Sequence, residues 1–223
     1  MKFVLVFFCF FSVILSANIK AQPTDDGKKT VISAENTVSI AKKNLMQKLA
    51  ELSAFKADFN QQVLSEEGQL LQTNKGRLAV SKPNLLYWSI IEPDESLIVS
   101  DGNTLWFYDP FIEQVTLYNI DNAINNTPIL LLVNSDPTLW QNYLIKQISS
   151  EHFIIQSKDE NSQVKRLTLA FNKAGNSLIK FEILDATGQL SRISLSNNQT
   201  LNADDKKLFQ YTPIEGVAID DQR

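Results

Sequence analysis

The spacing of apolar residues changes once along the chain, from a helical period to a strand period. Up to residue 52, apolar side chains recur every three or four positions and so share one face of a helix: Val38, Ala41, Leu45, Leu49 and Leu52. From residue 55 the period is two, and Phe55, Ala57 and Phe59 alternate with polar residues. The pattern predicts an amphipathic helix over residues 35–53, followed by a β-domain over residues 55–211.

Turn-forming residues divide this β-domain into antiparallel strands. Asp101-Gly102, between two apolar runs, is typical of a two-residue hairpin, and Asp109-Pro110 predicts the next reversal. Further turns follow up to residues 197–200, at the spacing of an all-β sandwich or barrel. A last strand is expected at residues 209–211, before an irregular acidic tail at residues 213–223. Three apolar residues are expected to share one face of a late strand: Ile179, Phe181 and Ile183.

A second helix is predicted inside a long connection. After Tyr118 the strand alternation stops for about 20 residues, more than a hairpin connection needs. Pro128 suits the first position of a helix, where its missing N–H costs nothing, and Asn126 or Thr127 can cap that helix. Residues 129–133 are apolar on every side, so this short helix, over about residues 127–133, must pack against the sheet.

The first 21 residues have the pattern of a cleaved signal peptide. Lys2 precedes an apolar run over residues 3–15, which is too short to span a membrane, and Ala21 offers a cleavage position, with Ala17 as the alternative. The mature chain, residues 22–223, is expected to form one domain. Cys9 lies within the apolar run and is the only cysteine, so the mature chain has no thiol for a disulfide, for catalysis or for a metal.

The charged residues argue against several classes of function. The mature chain carries a net charge of about −6, which repels nucleic-acid phosphates and anionic lipids, so neither nucleic-acid binding nor stable membrane insertion is expected. His152 is the only histidine, and no G-x-S-x-G motif accompanies it. Glu92, Asp94 and Glu95 flank Pro93 in a turn, where carboxylates are ordinarily solvated. No catalytic residue, metal or cofactor is predicted.

The apolar faces are the remaining candidate for a functional site. Both predicted helices can cover the same sheet, and the side chains between them either form a dry core or enclose a cavity large enough for an acyl chain. Alternation gives relative faces but does not fix which face is inside. The candidate cavity residues are Leu45, Leu49, Leu52, Phe55, Phe59, Leu78, Leu86, Trp88, Ile98, Trp106, Ile129, Leu130 and Leu132.

Five segments, spread over essentially the whole mature chain, resemble one known family. They are F-K-A-D-F-N-Q-Q at 55–62, K-P-N-L-L-Y-W at 82–88, P-D-E-S-L-I-V-S-D-G-N-T-L-W-F-Y-D-P-F at 93–111, N-T-P at 126–128 and D-D-Q-R at 220–223. With these segments the chain resembles the periplasmic outer-membrane lipoprotein carriers, the LolA family. The 93–111 segment is long enough to make the resemblance specific.

The resemblance implies both a fold and a function. The fold is a mainly β, unclosed antiparallel barrel of about eleven strands, covered by a lid of α-helices. The function is that of a periplasmic chaperone in a Gram-negative bacterium, acting as a monomer without a cofactor. It would take acylated lipoproteins from an inner-membrane ABC transporter, shield their acyl chains and pass them to a LolB-like outer-membrane receptor.

Lys82 departs from the pattern of the resembled family. The family has an arginine at this position, whose hydrogen bonds to the lid hold the empty cavity closed, and lysine lacks the planar fork of arginine. Lys82 is therefore either a weaker lid latch or an ordinary exposed turn cation.

Two other functions stay open, an enzyme and a carrier or sensor of another lipid or glycolipid on the same fold. A membrane-anchored receptor is disfavoured because no cysteine stands at the cleavage position.

Overall fold

A computed structural model of the chain describes residues 28–52, 54–123, 130–134 and 136–223, with side chains from Ile40 onward. The leader predicted over residues 1–21 lies outside the described residues. So do the predicted caps and first positions of the second helix, which are Asn126, Thr127, Pro128 and Ile129.

The described residues form three α-helices and twelve strands. The helices are α1 (Lys28–Glu51), α2 (Ile120–Ala123) and α3 (Leu130–Val133). The first six strands are β1 (Ala54–Leu64), β2 (Leu70–Ser81), β3 (Leu85–Glu92), β4 (Ser96–Asp101), β5 (Thr104–Asp109) and β6 (Gln114–Asn119). The remaining strands are β7 (Tyr143–Gln147), β8 (His152–Ser157), β9 (Val164–Phe171), β10 (Leu178–Asp185), β11 (Leu190–Gln199) and β12 (Ala218–Asp221). Two 3-10 helices span Leu139–Asn142 and Ala203–Phe209.

All twelve strands belong to one sheet, in the order β12-β6-β5-β4-β3-β2-β1-β11-β10-β9-β8-β7. Neighbouring strands are antiparallel except β12 and β6, which are parallel. Among the described residues, the edge strands β12 and β7 do not pair with each other, so the barrel is not closed. The predicted unclosed β-barrel with a helical cover is confirmed, with one more strand than the resemblance implies.

One face of this sheet, here called the concave face, carries the main core. Phe55, Ala57 and Phe59 of β1 are buried on it, as their alternation predicts. Paired residues of an antiparallel ladder point to the same side, so the pairs Phe59 with Leu195 and Trp88 with Leu78 continue this face across the sheet. The strand pattern therefore places a continuous apolar surface on one side.

An aromatic cluster forms the centre of the concave face. The ring of Trp88 stacks on Phe59 with a centroid distance of 4.2 Å and meets Phe181 edge-on at 6.1 Å. Gly76 lies directly opposite Phe59 in the ladder. A Cβ atom at Gly76 would come within 2.6 Å of the Phe59 ring and 2.0 Å of the Ser89 carbonyl oxygen. Glycine is therefore required here for the Phe59 ring to lie across β2.

Helix α1 packs its apolar stripe on the concave face near the β7 edge. Ala41, Leu45, Leu49 and Leu52 are buried in the main core, as the helical period predicts. Asn44 Nδ2 donates a hydrogen bond of 2.7 Å to Gln147 Oε1 of β7. The helix spans Lys28–Glu51 rather than residues 35–53, so it begins seven residues earlier and ends two residues earlier than the apolar stripe predicts.

Two sequence-based expectations for the later strands are wrong. A register shift in β10 pairs Leu178 with Phe171 and Lys180 with Ala170, which buries Leu178 and leaves Ile179 43% exposed. Residues 209–211 do not form a strand, and the tail expected to be irregular contains β12 (Ala218–Asp221) instead. This acidic strand has no apolar alternation that could have predicted it. Backbone hydrogen bonds to β6 hold it in place.

We predict that Gly76→Ala lowers the free energy of unfolding by about 2 kcal/mol or more, because the added Cβ overpacks the Phe59 ring and the β3 backbone. Thr73→Ala, at an exposed position of the same strand, is the control and should stay within about 0.5 kcal/mol of the native protein. Urea unfolding followed by fluorescence measures both. Equal midpoints for the two variants would contradict the proposed close contact.

Candidate functional site

The structure brings most of the predicted cavity residues together on the concave face and its helical cover. Ten of them are buried in one cluster: Leu45, Leu49, Leu52, Phe55, Phe59, Leu78, Leu86, Trp88, Leu130 and Leu132. Ile98 is partly buried and packs against the same cluster. Ile129 lies outside the described residues. The arrangement presents hydrocarbon and aromatic groups that can exclude water from an apolar ligand. The same arrangement is also what a well-packed core without a ligand would show.

Trp106 is the exception and does not join this cluster. Its ladder partners Val99 and Leu117 place it on the opposite, convex face, where its ring stacks on Tyr211 at 6.1 Å. Leu105, the preceding residue, points into the main core instead. The expectation that Trp106 lies with Trp88 is corrected because one strand sends successive side chains to opposite faces.

The convex face also carries a separate hollow. A cavity of about 560 Å³ lies between the Ala203–Phe209 helix and the ends of β2, β3 and β4. Its walls combine apolar residues, Leu85 and Phe209, with charged ones, Asp101 and Lys206. The helix is tied to the sheet through an ion pair of 2.9 Å between Lys56 and Asp205. This mixed lining differs from the mainly apolar surface under α1 and α3.

Helix α3 covers the part of the concave face formed by β3. All four of its residues, Leu130–Val133, are buried. Its carboxyl end is fastened to the turn between β2 and β3: the Asn84 backbone N–H donates to the Val133 carbonyl at 3.1 Å, and Asn134 Nδ2 donates to Asn84 Oδ1 at 2.9 Å. Asn84 has a φ of 57°, a conformation that asparagine tolerates better than most residues.

The same turn also holds helix α1, through Lys82. The Lys82 ammonium donates a hydrogen bond of 2.6 Å to the carbonyl oxygen of Leu49, in the last turn of α1. Carbonyl groups at a helix end lack intrahelical partners and carry the negative end of the helix dipole, so a cation is favourable there. Burial lowers the pKa of Lys82 from its usual value. The turn at residues 82–84 is therefore attached to both covering helices.

Sequence reasoning missed part of this attachment. The roles of Asn84 and Asn134 could not be read from the alternation of apolar residues, because both are polar residues near turns. The N-T-P segment at residues 126–128 pointed to the position of α3 but not to its fastening. Only the packed structure brings Asn134 within hydrogen-bond distance of a turn fifty residues earlier.

Polar side chains interrupt the apolar surface toward the opposite end of the sheet. Asn74 Nδ2 donates to Gln61 Oε1 at 3.0 Å, and Gln61 Nε2 donates to Ser191 Oγ at 3.3 Å, all three residues being buried. Gln72 Nε2 completes the row by donating to Asn74 Oδ1 at 2.8 Å. Because these groups satisfy one another, they can remain buried within the apolar surface.

Metal-ligating side chains and His152 are two further candidates for chemistry in the described part of the chain. No group of three or more histidine, cysteine, aspartate or glutamate side chains there is arranged to hold a metal ion. His152 is exposed, with its Nδ1 3.0 Å from Ser149 Oγ. Among the same residues, no helix has the length and apolar character needed to cross a membrane.

Fold and site together define a class of protein: an open β half-barrel with an apolar concave face under a helical cover. Residues 50–212 match the family model of the outer membrane lipoprotein carrier protein LolA. The chain belongs to the LolA family.

Individual relatives agree with this assignment. The chain is 39% identical to the outer-membrane lipoprotein carrier protein of Proteus mirabilis over 82% of this chain and 89% of that one. It is 34% identical to the carrier protein of Yersinia pestis over the full length of both. A conserved uncharacterised protein of Thermus thermophilus has a similar fold, with 12% identity, a TM-score of 0.51, and coverage of 81% of this chain and 98% of that one.

We predict that Lys82→Leu increases amide hydrogen exchange in residues 45–52 by about tenfold, because a hydrogen bond from a charged donor contributes about 1.5 kcal/mol or more to holding the helix end. Mass spectrometry of deuterium uptake measures it. Lys82→Arg should retain slow exchange. Lys75→Leu is the matched control, since Lys75 pairs with Glu92 in solvent. Unchanged exchange in Lys82→Leu would show that this contact does not hold α1.

Proposed function

We propose that this protein is a soluble periplasmic chaperone that binds the acyl chains of lipoproteins released from the inner membrane and carries them to an outer-membrane receptor. The observation that carries the proposal is an apolar concave face covered by two helices, both of which are hydrogen-bonded to the same turn of the sheet. The names of its relatives, outer-membrane lipoprotein carrier proteins, supply the class of cargo.

The covering helices and the cargo would compete for the same surface. Leu45 and Leu49 of α1 and Leu130 and Leu132 of α3 occupy the concave face in the closed protein. An acyl chain entering this face replaces leucine side chains with methylene groups of similar hydrophobicity. The affinity for the cargo is then the difference between two apolar contacts, and it stays modest although much apolar area is buried.

Reversible transport sets an upper limit to how much of the cargo is buried. One C16 chain has about 15 methylenes, and its full burial would contribute about 12 kcal/mol at about 0.8 kcal/mol per methylene. Three fully buried chains would exceed the ceiling of about 18 to 21 kcal/mol seen for non-covalent complexes. We therefore infer that the acyl chains are only partly enclosed and that the helices yield to them.

Lys82 would set the balance between the closed and the open protein. Its hydrogen bond to Leu49 exists only while α1 lies in the closed position, so it stabilises the empty protein against cargo. A ligand that binds only the open form has an apparent affinity reduced by the small fraction of open molecules. The same competition would favour release when a receptor offers the acyl chains another site. The proposed membrane partners are an inner-membrane ABC transporter that delivers the lipoprotein and a LolB-like outer-membrane receptor that accepts it.

We predict that a brominated palmitoyl chain quenches Trp88 and not Trp106, because bromine quenches tryptophan only at close range and the two rings lie on opposite faces. Two single-tryptophan proteins make a matched pair: Trp106→Phe/Trp140→Phe keeps Trp88, and Trp88→Phe/Trp140→Phe keeps Trp106. Adding Lys82→Leu to the first should lower the probe concentration at half-quenching by about tenfold. Equal quenching of both tryptophans would place the ligand elsewhere.

We further predict that the mature protein, purified from the periplasm of cells whose outer-membrane delivery step is blocked, carries a triacylated lipoprotein in a one-to-one complex. Intact mass spectrometry under native conditions identifies what is bound. A free lipid or a glycolipid would instead favour a carrier of another hydrophobic ligand. A protein recovered without any ligand would argue that the concave face is only a packed core.

A further inference from the structure

Three chain segments meet at the end of the sheet opposite the Lys82 turn. The β3–β4 turn and the β5–β6 turn lie side by side, since Ile90 pairs with Ser96 and Asp109 pairs with Gln114 in adjacent hairpins. The loop before β12 joins them, because the Ala218 backbone N–H donates to the Glu113 carbonyl at 2.8 Å. Residues 91–95, 109–113 and 213–217 together are called the acidic end below.

Large apolar side chains are exposed at the acidic end. Phe111 is 73% exposed and Ile112 is 56% exposed, at the tip of the β5–β6 turn. Ile91 and Ile214 are exposed on the two flanking segments. Single exposed apolar residues are ordinary, but four from three adjacent segments form a patch of the kind that marks interaction surfaces.

The apolar patch is surrounded by carboxylates. The three segments contain no lysine or arginine, and their acidic residues are Glu92, Asp94, Glu95, Asp109, Glu113 and Glu215. Glu92 pairs with Lys75 of β2 at 2.8 Å. The imbalance extends well beyond the turns, because the sequence has no lysine or arginine at all between Lys82 and Lys146. The sheet from β3 to β6 therefore presents one sign of charge.

We propose that the acidic end is a docking surface for another protein, whose contact surface has an apolar centre ringed by lysines and arginines. The negative potential around the patch attracts such a partner and orients it before contact. An anionic lipid surface would be repelled by the same carboxylates, although Phe111 and Ile112 alone would suit a membrane. A second copy of this chain would bring like charges together.

The position of the acidic end keeps a docked partner away from the covering helices. Strand β3 runs from Leu85, beside the Lys82 turn, to Glu92, a length of about 23 Å at about 3.3 Å per residue. A partner held at Glu92 leaves α1 and α3 free to move. The patch is small, so the complex is transient, with fast, salt-sensitive association rather than permanent assembly. The inference does not depend on which ligand the concave face binds.

The test places a photo-crosslinking amino acid, benzoylphenylalanine, at position 112 of the full chain in the bacterium that produces it. The control position is Ile148, which is equally exposed but lies on the β7–β8 turn. We expect one protein adduct at 112 that is absent at 148. The triple reversal Asp94→Lys/Glu95→Lys/Glu113→Lys should lower its yield about tenfold or more. The matched reversal Asp159→Lys/Glu160→Lys/Asp204→Lys, at exposed carboxylates elsewhere, should leave the yield unchanged.

Exchanging the charges between the two proteins then tests whether charge complementarity causes their association. Replacing the basic residues around the crosslinked site of the captured protein by glutamate should restore the adduct with the triple reversal. The proposal is overturned if no adduct forms at 112, if the reversal leaves the yield unchanged, if the exchange fails to restore it, or if the adduct is a second copy of this chain. Flotation with vesicles of phosphatidylethanolamine and phosphatidylglycerol supplies the last outcome: vesicle binding lost in Ile112→Ser would identify a membrane-binding surface instead.

Discussion

An open β half-barrel has an apolar face that its own edges cannot bury. In this protein the twelve strands end at β12 and β7, and the face between them carries Phe59, Trp88 and Phe181 at its centre. Water must be kept from this surface, so the chain covers it with α1 and α3. The sheet, the cover and the contacts that join them all follow from this requirement. The hydrogen-bonded strand ladder itself does not include the covering helices.

One turn of the sheet contacts both covering helices, while Asn44 of α1 also bonds to Gln147 of β7. Residues 82–84 hold α1 through the Lys82 ammonium and α3 through Asn84. Because both helices are hydrogen-bonded to this one turn, a change in the conformation of the turn would weaken the attachment of both helices. A lysine in this role donates from one point, whereas an arginine fork could engage two acceptors. In the proposed carrier, the ammonium contact of Lys82 is one of several contacts that hold the cover on an empty concave face.

The accuracy of sequence-based prediction differed between elements for physical reasons. Periodicity located α1 and β1, because a buried stripe and an alternating face both follow from packing against one core. It could not show that Trp106 faces away from Trp88, since alternation leaves the inside undefined, and it missed the shift that buries Leu178 in place of Ile179. Strand β12 depends on backbone bonding to β6 and leaves no apolar signal. The family resemblance left Lys82 open between a lid latch and an exposed turn cation, and the structure was needed to show its hydrogen bond and that of Asn134.

In the proposed docking scheme, the two ends of the sheet have separate tasks. The Lys82 end carries the helices and their fastening, while the opposite end exposes Phe111 and Ile112 among carboxylates. A protein that opened its apolar face where it also met its partners would leave that face exposed to every membrane it approached. In the proposed scheme, separate ends avoid this, because docking through the acidic end would orient the molecule before the cover moves. The lack of any lysine or arginine between residues 82 and 146 keeps the approach selective, since one sign of charge favours a basic partner over an anionic lipid surface.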